Sequence, residues 1–460
     1  MGSYGVEAQQ KTKKDHSEPL IVTLSECLKT ALENNRKRSI SQAAVAIAEA
    51  QHKQTQSAYW PRLSVNILAY RMDEDPNYVF PKETSSYTIQ GMAPVPMTVQ
   101  VDIPEKDIKL MDRDSIFSSL DFVYPLYTGG KRHAVSKQAR IGIQAAKVSA
   151  RRTDLEVIYD VKRMYHGAVL AKKLETLGRQ TLDRFKVTLD LTKRLYQTGS
   201  GTVKKTDFLR TKVIVSTLHA MLEELSANEA LARAALINTI GLDWDIDLVP
   251  AEKEIPFEPI KGDLKKLISD AYQFNPDWEK LQLALEAAEA GIKKARSGYF
   301  PVIALLGSLN RIDNSYDKGR VTDENIDSWS LGLNLNLPIF SGFQTVHAVR
   351  EAKMRLEKLK HERVLFREGL ALMVKGSLLQ VDRAKGQVES TREALNVASE
   401  NRELNVRAYQ NGLVETQELI EAQLMESFIK GKYLKALYDH ATFRAKMDFL
   451  IGNHIQNVFN

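Results

Sequence analysis

Few residues in this chain are spaced for chemistry. No His-Glu-x-x-His or Gly-x-Ser-x-Gly string occurs and the nine histidines are scattered, so neither a zinc hydrolase nor a nucleophile elbow is written here. The single cysteine, Cys27, cannot form an internal disulfide or a thiolate metal site; it falls in a predicted helix and reads as a small buried apolar residue rather than an acylated terminus. Gly199-Ser200-Gly201-Thr202-Val203-Lys204-Lys205-Thr206 superficially resembles a phosphate loop but lacks the Gly-Lys-Ser/Thr ending and a preceding strand. No catalysis, metal or cofactor is expected. What remains is a set of carboxylates near two glycine turns. Glu418 and Glu421 lie one helical turn apart and face one side together, and Asp207 follows Gly201 by the same six positions that separate Glu418 from Gly412. By themselves such carboxylates read as a solvated helix face.

The elements that must position them begin with composition. Of 460 residues, 43% are hydrophobic and 27% charged, and no window offers the roughly 18 uncharged residues of a spanning helix. The net charge of +6 comes from 64 basic and 58 acidic residues spread along the chain, with Lys11–Lys14 and Arg36–Arg38 the longest basic runs. That is a solvated surface, not a nucleic-acid stripe. The polar start through Glu18 reads as a disordered N-terminal remnant, residues 1–18, placed after a removed leader.

The strongest feature is an internal repeat. A shift of 240 places Leu24, Ala31, Asn35, Ala44 and Ala48 on Leu264, Ala271, Asn275, Ala284 and Ala288, and carries Tyr59-Trp60-Pro61 onto Tyr299-Phe300-Pro301. The first copy then holds about 27 extra residues. A shift of 213 next places Pro125 and Gly129 on Pro338 and Gly342, and Tyr196-Gln197-Thr198-Gly199 on Tyr409-Gln410-Asn411-Gly412; a shift of 211 finally matches Ile240-Gly241 with Ile451-Gly452. Two tandem copies are the economical reading.

Within each copy the period changes. Residues 130–197 and 343–411 are proline-free and rich in Ala, Leu, Lys, Glu, Arg and Gln, which predicts helices extending about 100 Å. Val381, Val388 and Leu395, with Ala384, Thr391 and Ala398 between them, set a coiled-coil seam. Returning helices are expected over 203–240 and 414–451, and shorter ones over 24–57 and 264–297, two of which stacked end to end span one long helix. Between the helices lie strands about 62–71, 115–127, 301–311 and 328–340. Trp329, Leu331, Leu333, Leu335, Leu337 and Ile339 alternate strictly with Ser330, Gly332, Asn334, Asn336 and Pro338, and aromatics such as Tyr59, Trp60, Tyr127 and Phe340 crowd the strand ends. Such strands also occur in soluble sandwiches. Here no second sheet exists to cover an apolar face, and four strands cannot close a barrel, so several chains must share one.

Together these marks resemble the outer membrane factor (TolC-like) family of outer membrane efflux and export channels. The carriers are the opening Leu24, Cys27, Leu28, Ala31, Leu32, Asn34 and Asn35, the Tyr-Trp-Pro and Tyr-Phe-Pro strand starts, the Pro-x-x-x-Gly strand exits and the Tyr-x-x-Gly turns. The resemblance implies a mainly α fold with a transmembrane β-barrel: four strands per chain, a twelve-stranded barrel in a homotrimer, and a long α-helical barrel crossing the periplasm. It divides the chain into a first repeat at 19–241 with helical hairpin 130–241, a connector at 242–262 wrapping the helices, a second repeat at 263–452 with helical hairpin 343–452, and a tail at 453–460. It implies outer membrane lipid, a periplasmic adaptor and an inner-membrane transporter as partners. The hairpin tips, with Gly199, Gly201, Gly412 and Leu413 and with Thr202 capping the next helix, would contact the adaptor. Glu418 and Glu421 would ring a periplasmic gate, and Asp207 would accept a hydrogen bond from Tyr409. Val414 departs from a gating arginine seen in the family, leaving Lys204, Lys205 and Arg210 as possible substitutes. Residues 72–114 would be an extracellular loop, either a lid or a plain surface loop. The competing reading is a soluble coiled-coil scaffold or periplasmic adaptor that uses its helical hairpins only for binding.

Overall fold

The computed structural model describes residues 19–89, 97–198, 203–260, 262–314 and 327–452. In chain order the elements are β1 (Leu20–Val22), α1 (Leu24–Asn34), α2 (Arg36–Gln56), β2 (Arg62–Arg71), β3 (Asn77–Phe80), β4 (Glu83–Ile89), β5 (Met97–Ile103), β6 (Lys106–Lys109) and β7 (Asp114–Thr128). They continue with α3 (Lys131–Gln197), α4 (Lys205–Ile240), β8 (Leu248–Pro250), α5 (Leu264–Phe274), α6 (Pro276–Arg296), β9 (Val302–Asn314), β10 (Asp327–Asn336), α7 (Gln344–Gln410) and α8 (Thr416–Ile451). Two compact units result, one from described residues within 1–48, 142–285 and 358–460, the other from those within 49–141 and 286–357.

The first unit is helical. Thr23 and Glu26 form a reciprocal capping box at the start of α1, so two of the orphan N–H groups there are satisfied. The expected 34-residue helices are each broken one third of the way along. Asn35 leaves the helical region, accepts from Lys37 N–H at 2.9 Å and donates to Thr239 O at 2.7 Å. Asn275 does the same, accepting from Trp278 N–H at 3.0 Å and donating to Leu450 O at 2.8 Å, and Pro276 behind it disfavours helix at Asn275. Each asparagine thereby ends one helix, starts the next and ties both to the last turn of a returning helix. Those turns end on Gly241 and Gly452, both with positive φ, where a Cβ would collide with the carbonyls of Asn34 and Phe274.

The core of this unit gathers Val157, Val161 and Tyr165 of α3, Leu236 and Ile240 of α4, Leu28 and Ala31 of α1 and Leu437 of α8. The connector joins it as structure: β8 pairs in parallel with β1, Leu248 and Ile255 are buried, and Tyr165 donates to Val22 O at 3.1 Å. Cys27 is buried here, and burial pushes its thiol up to about 12, which leaves it inert. Along α7 the seam positions Val381, Ala384 and Val388 are buried; Leu395 and Ala398 are half-buried.

The second unit carries a four-stranded antiparallel sheet in the order β10-β9-β7-β2. The two hairpins share one register under the sequence shifts, Arg62 opposite Val123 and Val302 opposite Asn336. β10 ends at Asn336, short of the expected 340, because Pro338 cannot donate to a ladder. The 72–114 segment is not an irregular loop: β3 pairs with β6 and β4 with β5, prolonging the β2/β7 hairpin as narrow ribbons.

Two buried histidines report on the helical core. Nδ1 of His166 and both ring nitrogens of His440 lack a hydrogen-bond partner. Burial, with Lys162 nearby, lowers His166 to about 4; burial, with Arg444 and Lys385, lowers His440. Both imidazoles are neutral in the fold, and the unfolded chain takes up their protons below about pH 6.5, so stability is full above that pH and falls as pH drops. The loss for His166 continues toward pH 4 and reaches about 3 kcal/mol at most. Thermal melts of the detergent-solubilised protein should show a declining midpoint between pH 7 and 5, flatter in His166→Gln; an equally steep decline in that variant excludes His166 as a source.

Candidate functional site: the hairpin tips and the two-faced sheet

At the turn between α7 and α8, Gly412 adopts a left-handed backbone and Leu413 projects with 77% of its surface exposed. Tyr409 is buried beside this turn, and its hydroxyl lies 3.2 Å from Thr192 Oγ1 on α3 and 3.1 Å from Thr416 Oγ1 on α8. The expected bond from Tyr409 to Asp207 is not made. Asp207 instead accepts from the Lys204 backbone N–H at 2.9 Å, closing the first turn of α4. Glu418, its counterpart at a shift of 211, accepts in the same way from the Glu415 N–H at 3.3 Å. The carboxylates therefore sit where the helix dipole and unpaired N–H groups favour them. The cap position of α4 is Lys204, not Thr202; Gly199, Gly201 and Thr202 lie outside the described residues.

Arg210 reaches across from α4 to α8. Its Nη1 donates to Gln417 Oε1 at 3.0 Å, and Gln417 Nε2 donates to Glu421 Oε1 at 2.8 Å. Of the three basic residues expected near the turn, Arg210 thus makes an inter-helical contact, ending on the acidic pair through a neutral amide.

Behind the tip lies a polar seam that spacing alone did not single out. Thr181 lies 2.9 Å from Ser427, Gln423 Nε2 donates to Thr188 at 3.2 Å, and the buried Thr192 carries the ladder to Tyr409. Glu426, almost fully buried, accepts from Arg184 at 2.5 Å and Ser399 at 3.2 Å, with Arg402 Nε at 3.1 Å. The available signal was Thr181 and Thr188 at a seven-residue spacing on α3 facing Gln423 and Ser427 on α8, hydroxyls and amides where a helical seam normally holds leucine.

In the other unit the sheet separates polarity by face. Rows cross all four strands: Val65, Leu120, Leu309 and Trp329 are register partners in sequence, and so are Leu63, Phe122, Gly307 and Leu331. Most of these side chains are exposed in one chain, Val65 at 67% and Trp329 at 75%. The opposite rows are Ser64, Asp121, Ser308, Ser330 and Asn66, Ser119, Asn310, Ser328. Asp121 there accepts from Asn66 at 2.6 Å and from Ser119 and Ser308 at 2.9 Å each. Such a sheet suits a boundary between hydrocarbon and water. Among the described residues no helix is long and apolar enough to cross a membrane, and no group of three or more His, Cys, Asp or Glu could hold a metal ion.

Comparison with known proteins identifies relatives. The sequence model of the family described as "outer membrane efflux protein" matches residues 110–242 and 267–453. The chain is 24% identical over 364 residues to the alkaline protease secretion protein AprF of Pseudomonas aeruginosa, covering 74% of this chain and 70% of AprF. It is 23% identical over 310 residues to the probable efflux pump outer membrane protein TtgC of Pseudomonas putida, covering 65% of this chain and 61% of TtgC, less than two thirds of that relative's length. Among solved structures, the outer membrane protein VceC of Vibrio cholerae superposes with a TM-score of 0.70 at 15% identity over 93% of this chain and 96% of that one. The open-state MtrE outer membrane channel of Neisseria gonorrhoeae gives 0.69 at 18% identity over 93% and 88%.

The tip geometry makes a direct forecast. Tyr409→Phe removes the hydroxyl shared by Thr192 and Thr416 and should cost about 1 kcal/mol, read as faster amide exchange across 409–416 without change at the sheet. Asp207→Ala should cost a similar ~1 kcal/mol in the first turn of α4 through loss of its cap; exchange there unchanged from the parent protein would refute the capping role.

Proposed function

Because the chain belongs to the outer membrane efflux protein family, we propose that it is the outer membrane conduit of a tripartite efflux or type I export system, a passive channel and not an enzyme. The observation that carries this reading is the sheet with one apolar and one polar face, exposed on both in a single chain. A bare apolar face of this kind is stable against lipid, and the polar face then lines water. A soluble scaffold would leave the Leu63, Val65, Ile67 and Leu331, Leu333, Leu335 rows in water, so that alternative is the weaker one.

In this proposal three chains supply four strands each and close twelve into one barrel. The two tandem repeats, 19–241 and 263–452, give a rule for the joint. Within one chain the exit strand of the first repeat, β7, pairs with the starting strand of the second, β9, and Phe122 stands opposite Gly307. Applying the shifts of 213 and 240, β10 of one chain pairs with β2 of the next, Leu335 opposite Ile67. Apolar side chains then meet on the same face. The turns agree: a Cβ on Gly129 would meet the Ser297 carbonyl oxygen and Phe300 Cβ at 2.7 Å each, whereas its counterpart Gly342 has open space. The neighbouring chain's Ser57 and Trp60, counterparts of Ser297 and Phe300, would fill it, and Trp60 is indeed 71% exposed in one chain.

The helical tips, with Gly412 and Leu413 at the α7/α8 turn and Gly199, Gly201 and Thr202 at the other, are the proposed contact for a periplasmic adaptor, with an inner-membrane transporter supplying energy. Symmetry would place six carboxylates, Glu418 and Glu421 from each chain, around the pore, where they favour cations. Asp207 and Tyr409 belong to the same gate as supports, one holding the start of α4 and the other joining α3 to α8. Cargo selection lies with the transporter.

Two measurements decide. Leu335→Cys combined with Ile67→Cys should give inter-chain disulfides and a trimer ladder on non-reducing gels, while Leu333→Cys with Ile67→Cys, one pleat out of register, should not. In planar bilayers Glu418→Gln with Glu421→Gln should lower cation selectivity; selectivity identical to the parent removes both from the pore.

A further inference from the structure

We propose that a cleft between α2 and the first turns of α3 binds a phosphate-type oxyanion, and that its occupant in the membrane is a phospholipid headgroup. His52 and Gln56 of α2 and His133, Ser136, Lys137 and Arg140 of α3 line a space of about 230 Å³. None of the described residues lining it is a carboxylate. Among the described residues neither Lys137 nor Arg140 has an ion-pair partner, while Lys147, further along the same helix, is engaged. A guanidinium fork, an ammonium, a hydroxyl and an amide around one small space are donors matched to phosphate oxygens.

The placement of charge points the same way. Lys131, Arg132, His133, Lys137 and Arg140 occupy the start of α3, where the helix dipole disfavours cations, and its first turn holds no acidic residue. An anion at this end resolves that conflict. Under the shift of 213 the cations Lys137 and Arg140 recur as Arg350 and Lys353, whereas Val346 and Val349 stand where His133 and Ser136 do, so it is the imidazole and the hydroxyl that are particular to the first half of the chain.

Depth selects the occupant. β7 ends at Thr128 and α3 begins at Lys131, so His133 to Arg140 stand roughly 5 to 15 Å along the helix from the strand end, at and just beyond headgroup level. Arg132 fixes this geometry: it donates to Ala58 O at 3.2 Å and Leu126 O at 2.9 Å and lies 4.8 Å over the ring of Tyr59. Tyr59, Trp60 and Tyr127, all exposed, form the aromatic belt beside the cleft. The assignment rests on the reading of the sheet as membrane-spanning.

The test uses delipidated full-length protein in detergent, titrated with phosphatidylglycerol, with diacylglycerol of the same chains, or with inorganic phosphate, and native mass spectrometry to count what is retained. One phosphatidylglycerol per chain and no diacylglycerol are expected, with retention falling about tenfold or more in Lys137→Gln with Arg140→Gln. Arg140→Gln alone, at an exposed position, carries the test if the double variant does not assemble. Equal retention by parent and variants overturns the site; inorganic phosphate held as tightly as phosphatidylglycerol overturns the headgroup assignment. Conductance of the variants is read in parallel, since loss of lipid with channels intact separates this site from the conduit reading.

Discussion

The constraint on which the rest depends is that a β-strand in hydrocarbon must have every backbone N–H and C=O paired. The sheet of this chain has four strands and therefore two edges, β2 and β10. In water an edge is a solubility hazard; in lipid each unpaired group costs several kcal/mol, and a row of them is prohibitive. No side-chain chemistry on the sheet can offset that. The remedy is another edge of matching register. In the proposed assembly the alternation of Trp329 to Leu335 against Ser330 to Asn334 and the open space around Gly342 answer the same demand, one for the faces and one for the joint.

The helices obey a different economy. Around Tyr165, Val161 and Leu236 the helices pack on apolar contact, and the asparagine breaks at Asn35 and Asn275 tie the short helices to the ends of α4 and α8. Toward the tips the seam becomes hydroxyl, amide and ion pair, from Thr181 and Ser427 to Tyr409 and Thr416. Because Thr181, Thr188, Thr192, Gln423 and Glu426 are buried, a bond lost there is costly to leave unmade, so any rearrangement of the tip has to exchange one hydrogen bond for another.

What the sequence disclosed follows from which interactions are periodic. The strands and long helices were legible because alternation and helix-forming composition persist over many residues, and Asp207 and Glu418 were found as counterparts because the repeat keeps their distance from the turn glycine. The breaks at Asn35 and Asn275 were not read, although both asparagines were aligned, because asparagine inside an otherwise helical pattern signals a break only once its side chain is seen bonded to Thr239 and Leu450. The ribbons β3 to β6 were not read, although Met97, Val99, Val101 and Ile103 alternate with Thr98, Gln100 and Asp102, because the strands are short and Pro76, Pro81, Pro94, Pro96 and Pro104 among them signal a loop. Tyr409 was given the wrong partner for a physical reason: an acidic side chain near a helix start has its own N–H groups within reach, and Asp207 takes that local bond. A tyrosine hydroxyl held by two threonines leaves no charge for sequence reasoning to follow.

The capping role also bears on how the acidic tips can act. A carboxylate that closes the first turn of its own helix is fixed in position by the backbone, so Glu418 cannot swing freely, while Glu421, one turn on, is oriented by Gln417 and through it by Arg210. Any displacement of α8 against α4 therefore stretches the Arg210 to Gln417 contact before it disturbs the cap, since one bond spans two helices and the other lies within one. In the proposed gate the acidic residues then travel with α8 as a pair, and the amide-mediated Arg210–Gln417 tie to α4 adds to the Thr416–Tyr409, Gln423–Thr188 and Glu426–Arg184 contacts that hold α8 on its other side.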